Sequence, residues 1–319
     1  MKSFSMSRRN FMKFCIGSAT VLGISTLARA EPLTEGVPSP LLDEMNLPDT
    51  KPGVVWLEAQ DCAGCTESVL SCLTPDIGEF VLDDVAIRYH ETIMAGTGEK
   101  SEEALYGAID QGGYVLVLEG SIPVTDTNYL TVGGVPVEET FRQAAGNAAI
   151  ILAIGACAAY GGIPKAGLTK GEGARYFLDK YGITTPLINL PGCPVHPLWF
   201  YDTVYAYLNN TQIALDSDAR PLNHYAWTIH DNCKRRQHYN AGRFLLDWND
   251  PTQKQFCLLK KGCRGPRTHA DCPVIKWNEG ANTCIDNNAP CAGCTEPFFY
   301  HEDSGLYTPQ EKKNCKKEN

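Results

Sequence analysis

The 319-residue sequence has no apolar run long enough to cross a bilayer comfortably. It has no long low-complexity tract and no internal repeat, so a disordered chain and a solenoid are both excluded. It also lacks an excess of positive charge. The formal charge is −9, which argues against nucleic acid as a partner, because phosphate binding needs a basic face. What it does have is a hydrophobic fraction of 43% and enough length for two domains with a buried core.

The first thirty residues form a separate unit. Ser7-Arg8-Arg9-Asn10-Phe11-Met12-Lys13 is a twin-arginine export motif. A modest apolar stretch from Phe14 to Leu27 follows, then Ala28-Arg29-Ala30, a small-x-small cleavage site. The stretch is too short and too rich in Gly and Ser for a membrane anchor. The expectation is therefore a cleaved signal over 1–30, a folded passage to the periplasm, and no integral membrane anchor. Cleavage would remove five basic residues and no acid, taking the charge from −9 to −14.

Cysteine is the abundant component, with fourteen in the chain. In an exported protein the default reading is a disulfide framework. Two features point instead to metal clusters. The chain is too large to need staples, and a protein exported folded can load thiolates with metal in the reducing cytoplasm.

The positions of the cysteines carry the argument further. Val54-Val55-Trp56-Leu57, Tyr114-Val115-Leu116-Val117-Leu118, Ile150-Ile151-Leu152-Ala153-Ile154 and Leu187-Ile188-Asn189-Leu190 are short apolar runs. Helix-length segments separate them, with helices expected over 66–73, 138–147, 174–181 and 199–209. The pattern predicts buried parallel strands in a doubly wound α/β sheet. Cys62 and Cys65 follow the first run, Cys157 the third and Cys193 the fourth. All would lie beyond the carboxyl ends of strands, where open α/β sheets place ligands. Four soft thiolates converging from three distant strands favour a 4Fe–4S cluster over a structural zinc, which prefers a compact knuckle.

From about Gln212 the composition changes to Cys, Asn, Pro and Gly, with few periodic apolar segments. Metal cross-links are expected to replace a hydrophobic core in this region. His230-x-x-Cys233 with Cys257 and Cys263 offers one imidazole and three thiolates; Cys272, Cys284, Cys291 and Cys294 offer four thiolates. Cys72 and Cys315 are left over in the mature chain. Cys72 reads as a small core residue. His90, His196, His224, His238, His269 and His301 have no ligand-like spacing.

Taken together, these residues resemble the small subunit of nickel–iron hydrogenases. The resemblance runs through Asp61-Cys62-Ala63-Gly64-Cys65-Thr66-Glu67-Ser68, Glu119-Gly120-Ser121-Ile122-Pro123, Gly155-Ala156-Cys157 with Tyr160-Gly161-Gly162, and Pro191-Gly192-Cys193-Pro194. It continues through His230-Asp231-Asn232-Cys233, Gly262-Cys263-Arg264-Gly265-Pro266 and Pro290-Cys291-Ala292-Gly293-Cys294-Thr295-Glu296-Pro297.

The resemblance implies a flavodoxin-like doubly wound domain over 53–211, after an extension over 31–52. An irregular cysteine-rich iron–sulfur cluster domain over 212–319 would follow. It implies three clusters: a proximal one on Cys62, Cys65, Cys157 and Cys193, a medial one on Cys272, Cys291 and Cys294, and a distal one on His230, Cys233, Cys257 and Cys263. A large subunit would carry the nickel–iron site, and a periplasmic c-type cytochrome would be the external redox partner. The reaction is reversible oxidation of dihydrogen, with this chain conducting the electrons. Many members carry Pro where this chain has Cys284, and their medial cluster is 3Fe–4S. Cys284 therefore implies a 4Fe–4S medial cluster, as in the nickel–iron–selenium branch, reverting to 3Fe–4S if Cys284 is not a ligand. Gly64 and Gly162 stand where oxygen-tolerant members add two cysteines, which implies an oxygen-sensitive enzyme. Glu67, just past the first C-x-x-C, is a candidate proton-route residue, and a helix N-terminal acid is its plainer reading. A stand-alone electron carrier and a disulfide-stapled binding protein are the competing classes.

Overall fold

A computed structural model describes residues 51–299. The twin-arginine motif, the cleavage site after Ala30, Cys15, His301 and Cys315 lie outside the described residues.

Five parallel strands form the central sheet: β1 (Gly53–Glu58), β2 (Ala86–His90), β3 (Val115–Glu119), β4 (Ile150–Ile154) and β5 (Leu187–Leu190). Their spatial order is β2-β1-β3-β4-β5, the flavodoxin-like order. Every residue of β3, β4 and β5 is buried, which is why these segments read as unbroken apolar runs rather than alternating ones. Along β1 the side chains still alternate. Val54 and Trp56 join the core on one face of the sheet, and Val55 and Leu57 join the core on the other.

Helices cover both faces. On one lie α1 (Gly64–Leu70) and α7 (Pro197–Leu208), through Val69, Trp199, Phe200 and Val204. On the other lie α2 (Glu99–Gln111), α3 (Val137–Asn147) and α6 (Ala174–Tyr181), through Leu105, Phe141 and Phe177. The short helices α4 (Gly155–Tyr160) and α5 (Gly162–Ala166) follow β4. β2 and α2 are absent from the apolar-run reading. β2 is an edge strand of sequence Ala-Ile-Arg-Tyr-His, only partly buried, and it carries no continuous apolar signal.

The order of the strands reverses between β1 and β3, and this opens a crevice beyond their carboxyl ends. A bridge between Gln60 and Ser121 ties the two loops at the crevice together. The cysteine-bearing loops after β1, β4 and β5 all leave the sheet on this side.

After α7 the described chain contributes no strand to the main sheet, and its helices are short, the longest being five residues, Arg236–Asn240. The expectation that metal alone would hold this region needs correction. Tyr225, Ile229, Leu245, Leu258, Ala270 and Ile285 belong to the same buried core as Trp56, Val117 and Trp199. Each buried Ile or Leu side chain among them contributes roughly 1.5–3 kcal/mol. Periodicity could not reveal this core, because its members come from turns and single-turn helices.

Polar contacts reinforce the junction. His224 is 6% exposed, with Asp271 Oδ2 at 2.8 Å from Nδ1 and Asp202 Oδ2 at 3.3 Å from Nε2. Trp199 Nε1 donates to the other oxygen of Asp271 at 2.7 Å. Burial alone would lower the His224 pKa, but the two carboxylates outweigh it and hold it at about 9. A histidine raised in the folded state stabilises most below its unfolded value and loses that contribution as pH rises through the folded one. The contribution, of order 3 kcal/mol, should be full below pH 6.5 and gone above about pH 9. Melting temperatures of wild type and His224→Gln should therefore converge as pH rises across that window. A gap that stays constant with pH would contradict the ion pairs.

Candidate metal centres

The loop after β1 turns at Ala63, which adopts left-handed backbone (φ 56), and α1 begins at Gly64. Cys65 is thereby carried inward and buried, while Cys62 stays exposed. Cys65 Sγ accepts from the Val195 N–H at 3.4 Å. From β3, Glu119 secures the same turn. It is 1% exposed and accepts from Cys65 N at 3.0 Å, Thr66 N at 3.1 Å, Thr66 Oγ1 at 2.6 Å and Trp56 Nε1 at 3.1 Å. Burial nevertheless raises its pKa. Glu119 is thus the cap of α1, held there by four donors, and it fixes where Cys65 sits.

Cys157 enters from α4 and Cys193 from the loop after β5, where Gly192 O accepts from Ala156 N at 2.7 Å. The four thiols act on one another electrostatically: Cys65 with Cys157 and Cys193, and Cys62 with Cys157 and Cys193. Gly155, at φ +82, makes the approach possible, since a Cβ there would stand 2.6 Å from Cys65 Sγ. Gly162, at φ +53, does the same for Cys157, whose Sγ would lie 2.7 Å from an added Cβ.

A second group lines a cavity of about 430 Å³. Cys272, Cys284, Cys291 and Cys294 all reach it, with Cys193, Ile229, Trp277 and Phe299 among the other walls. Cys272 and Cys294 each sense Cys284 electrostatically, so that cysteine faces its group despite its exposure. The third group is His230, Cys233, Cys257 and Cys263, which line one small cavity under Ile229, Leu258 and Ile285. Cys263 senses Cys233 and Cys257. Burial lowers the His230 pKa, favouring the neutral ring, and the ring meets Tyr239 edge-on at 4.5 Å.

The three groups are strung end to end. Cys193 of the first group lines the cavity of the second and acts on Cys294. At the other end Cys291 acts on Cys263 of the third.

The donor set fits metal clusters. Burial pushes Cys157 and Cys294 up to about 12 and Cys263 up to about 11, and neighbouring thiols push the same way. Bare thiolates would be disfavoured in such sites, whereas bound iron would supply the compensating positive charge. None of the twelve cysteines among the described residues is in a disulfide.

The remaining sequence candidates separate clearly. Cys72 is 4% exposed in the apolar core, with Thr74 O at 3.4 Å from its Sγ, as a packing residue would be. Glu67 is exposed in the first turn of α1. His90 stacks on Trp56 at 4.7 Å, and His196 caps α7 through Leu198 N at 3.2 Å. His269 pairs with Glu296, with Nδ1 to Oε1 at 3.0 Å. Sequence reasoning missed a cluster of acids beside Cys62. Glu58, Asp61 and Glu119 bring oxygens within 4.8 Å of one another. Burial, with Glu119 and Glu58 adding repulsion, raises Asp61 to about 6. The signals available were Asp61 preceding the first C-x-x-C and Glu119 closing the second apolar run.

Comparison with known proteins gives a consistent result. Residues 225–307 match the family described as the C-terminal part of the NiFe/NiFeSe hydrogenase small subunit, and residues 62–207 match NADH ubiquinone oxidoreductase, 20 Kd subunit. The chain is 36% identical over 305 residues to the periplasmic NiFe hydrogenase small subunit of Solidesulfovibrio fructosivorans, covering 95% of this chain and 93% of that one. It is 34% identical over 331 residues to the periplasmic NiFeSe hydrogenase small subunit of Desulfomicrobium baculatum, covering 96% and 100%. Among solved structures, the NiFeSe hydrogenase of Desulfovibrio vulgaris Hildenborough superimposes with a TM-score of 0.75 at 36% identity, covering 81% of this chain and 97% of that one. The reduced, active NiFeSe enzyme of Desulfomicrobium baculatum gives a TM-score of 0.76 at 34% identity, covering 82% and 100%. With thiol groups in this arrangement and relatives matched along nearly their whole length, this chain belongs to the family of small subunits of nickel–iron and nickel–iron–selenium hydrogenases.

Proposed function

We propose that this chain conducts electrons through three 4Fe–4S clusters between a nickel-bearing large subunit and an external redox partner. The observation that supports it most is the end-to-end order of the thiol groups, with Cys193 and Cys294 at one junction and Cys291 and Cys263 at the other. Cys62, Cys65, Cys157 and Cys193 would hold the proximal cluster. Cys272, Cys284, Cys291 and Cys294 would hold the medial one, and His230, Cys233, Cys257 and Cys263 the distal one. When bound, these clusters would accept and release single electrons.

The protein's share is placement and exclusion of water. Glu119 fixes the α1 turn and hence Cys65. Ile229, Leu258 and Ile285 shield the distal cavity from solvent, which together with ligand charge sets a cluster's potential. Cys62 and Cys193 are exposed in the isolated chain, and the large subunit would cover them. Glu67, exposed near Cys62, would face that partner and is a candidate for passing a proton to it. A periplasmic c-type cytochrome would meet the distal end, where the neutral His230 leaves the ligand set less negative than four thiolates. Export to the periplasm by the twin-arginine route is part of the same reading. No helix among the described residues is long and apolar enough to cross a membrane. With Gly64 and Gly162 in place of further thiols, the proximal cluster would be an ordinary one and the enzyme sensitive to oxygen.

Cys284 offers a sharp test. Cys284→Pro should convert the medial cluster to 3Fe–4S, detected by electron paramagnetic resonance after anaerobic oxidation, with a higher medial potential. Wild-type protein should show no such signal. A 3Fe–4S signal from intact wild type, without iron loss, would contradict the four-thiolate medial site.

A further inference from the structure

One side chain in the wall of the distal cavity is not accounted for by the ligand set. Arg235 lies two residues after Cys233, is 3% exposed, and lines the cavity shared by His230, Cys233, Cys257 and Cys263. Its backbone N–H donates to Cys233 Sγ at 3.4 Å. Nη1 donates to Phe256 O at 3.0 Å and Nη2 to Ile285 O at 3.1 Å, with a further bond from Nη2 to Asn288 Oδ1. All three acceptors are neutral. Of the donors that remain, Nε is buried and has no hydrogen-bond partner.

The neighbouring cations differ in both respects. Lys234 is paired with Asp286 and Arg236 with Asp231, and the two side chains are 54% and 46% exposed. Their charges are largely screened by water and by their partners. Arg235 forms no ion pair among the described residues. The thiols Cys233, Cys257 and Cys263 act on it electrostatically, and so does the already paired Asp286. A buried guanidinium without a counter-ion is strongly disfavoured, and one whose Nε–H has no acceptor more so. Three thiolates around the distal cavity would supply both the missing charge and a soft acceptor.

We infer that Arg235 is the internal counter-ion of the distal cluster, a positioning residue whose fixed charge raises that cluster's reduction potential and whose unpaired Nε–H is available to its sulfur atoms. The inference rests on the distal assignment proposed above. Its sign follows from electrostatics. Reduction adds one negative charge to an already negative cluster, so a nearby buried cation stabilises the reduced form. Because Arg235 lines the cavity itself, with an effective dielectric constant of about 20 the interaction is not screened away. Arg235 would thus hold the distal end of the wire as an electron sink relative to a site with only neutral donors.

The test is a redox titration of the distal cluster, followed by electron paramagnetic resonance, in the purified complex. Arg235→Gln keeps a donor and removes the charge. It should lower the ratio of reduced to oxidised distal cluster about tenfold at a fixed ambient potential, equivalent to about 59 mV for one electron. Arg235→Lys keeps the charge and should restore most of that loss. Asn288→Asp leaves Arg235 in place but gives its Nη2 an anionic partner; it should lower the potential in the same direction by less. This variant keeps the fold, since Asp tolerates the left-handed backbone of Asn288 (φ 61), and an unchanged potential in it overturns the role of Arg235 even if Arg235→Gln fails to assemble. An unchanged distal potential in Arg235→Gln or in Asn288→Asp overturns the role of Arg235, as does an equal shift in Arg235→Gln and Arg235→Lys. A wild-type complex with no third cluster to titrate overturns the distal assignment itself.

Discussion

Hydrogen-driven dye reduction is expected to fall to background in Cys65→Ala. The iron content should drop by about four per chain, the share of one cubane. Cys65 is the most tightly placed member of the first thiol group. It is buried, its Sγ receives the Val195 N–H at 3.4 Å, and its backbone N–H is fixed by Glu119 at 3.0 Å. No neighbouring thiol is free to replace it, because Cys72 lies in the apolar core with its Sγ 3.4 Å from Thr74 O. Isotope exchange between dihydrogen and water needs the partner's active site but no outgoing wire, so it should persist in complexes that still assemble. Cys72→Ala is the matched control and should keep full iron and full dye reduction. Equal iron loss in the two variants would mean that the group around Cys65 is not a cluster site.

A stability loss of about 3–5 kcal/mol is expected in Arg220→Met, the cost typical of stranding one partner of a buried ion pair. Arg220 is 4% exposed and lies on the segment that links α7 to the cysteine-rich region. Its Nε meets Asp216 Oδ2 at 2.8 Å, its Nη1 donates to Thr295 O at 3.0 Å and lies 3.2 Å from Glu296 Oε1, and its Nη2 lies 3.4 Å from Asp218 Oδ2. Its guanidinium also sits over the Tyr225 ring at 5.7 Å. Removing it would leave Glu296, 6% exposed, facing only His269. Thr295 and Glu296 directly follow Cys294, so the medial group should loosen as well. A melting temperature lower by about 10 °C is expected for the purified complex, with partial recovery in Arg220→Lys. A shift below about 2 °C would show that Arg220 does not anchor this junction.

The sequence exposed some of this architecture far better than the rest. β3, β4 and β5 were legible because strands covered on both faces must be apolar throughout, and α6 matched its expected bounds of 174–181. β2 was not legible, since Arg88 and His90 break its apolar run at the sheet edge. The grouping of the cysteines was legible because they fall in short motifs at strand ends and in loops, and the fold brings the side chains of each group together. The core beneath the cysteine-rich region was hidden, because Tyr225, Ile229, Leu258 and Ile285 meet only through tertiary contacts. Arg220 and Arg235 were hidden for a related reason. A charged residue reads as surface in a sequence, and only the packed structure shows that these two are buried.

Elemental analysis of the complex, purified from its own host without air, tests the central claim most directly. Three four-iron clusters require nickel together with about twelve irons beyond that of the active site. Selenium at parity with nickel would further place the partner in the selenium branch. About eight irons or fewer, or iron without nickel and without a co-purifying large chain, would contradict a three-cluster hydrogenase subunit.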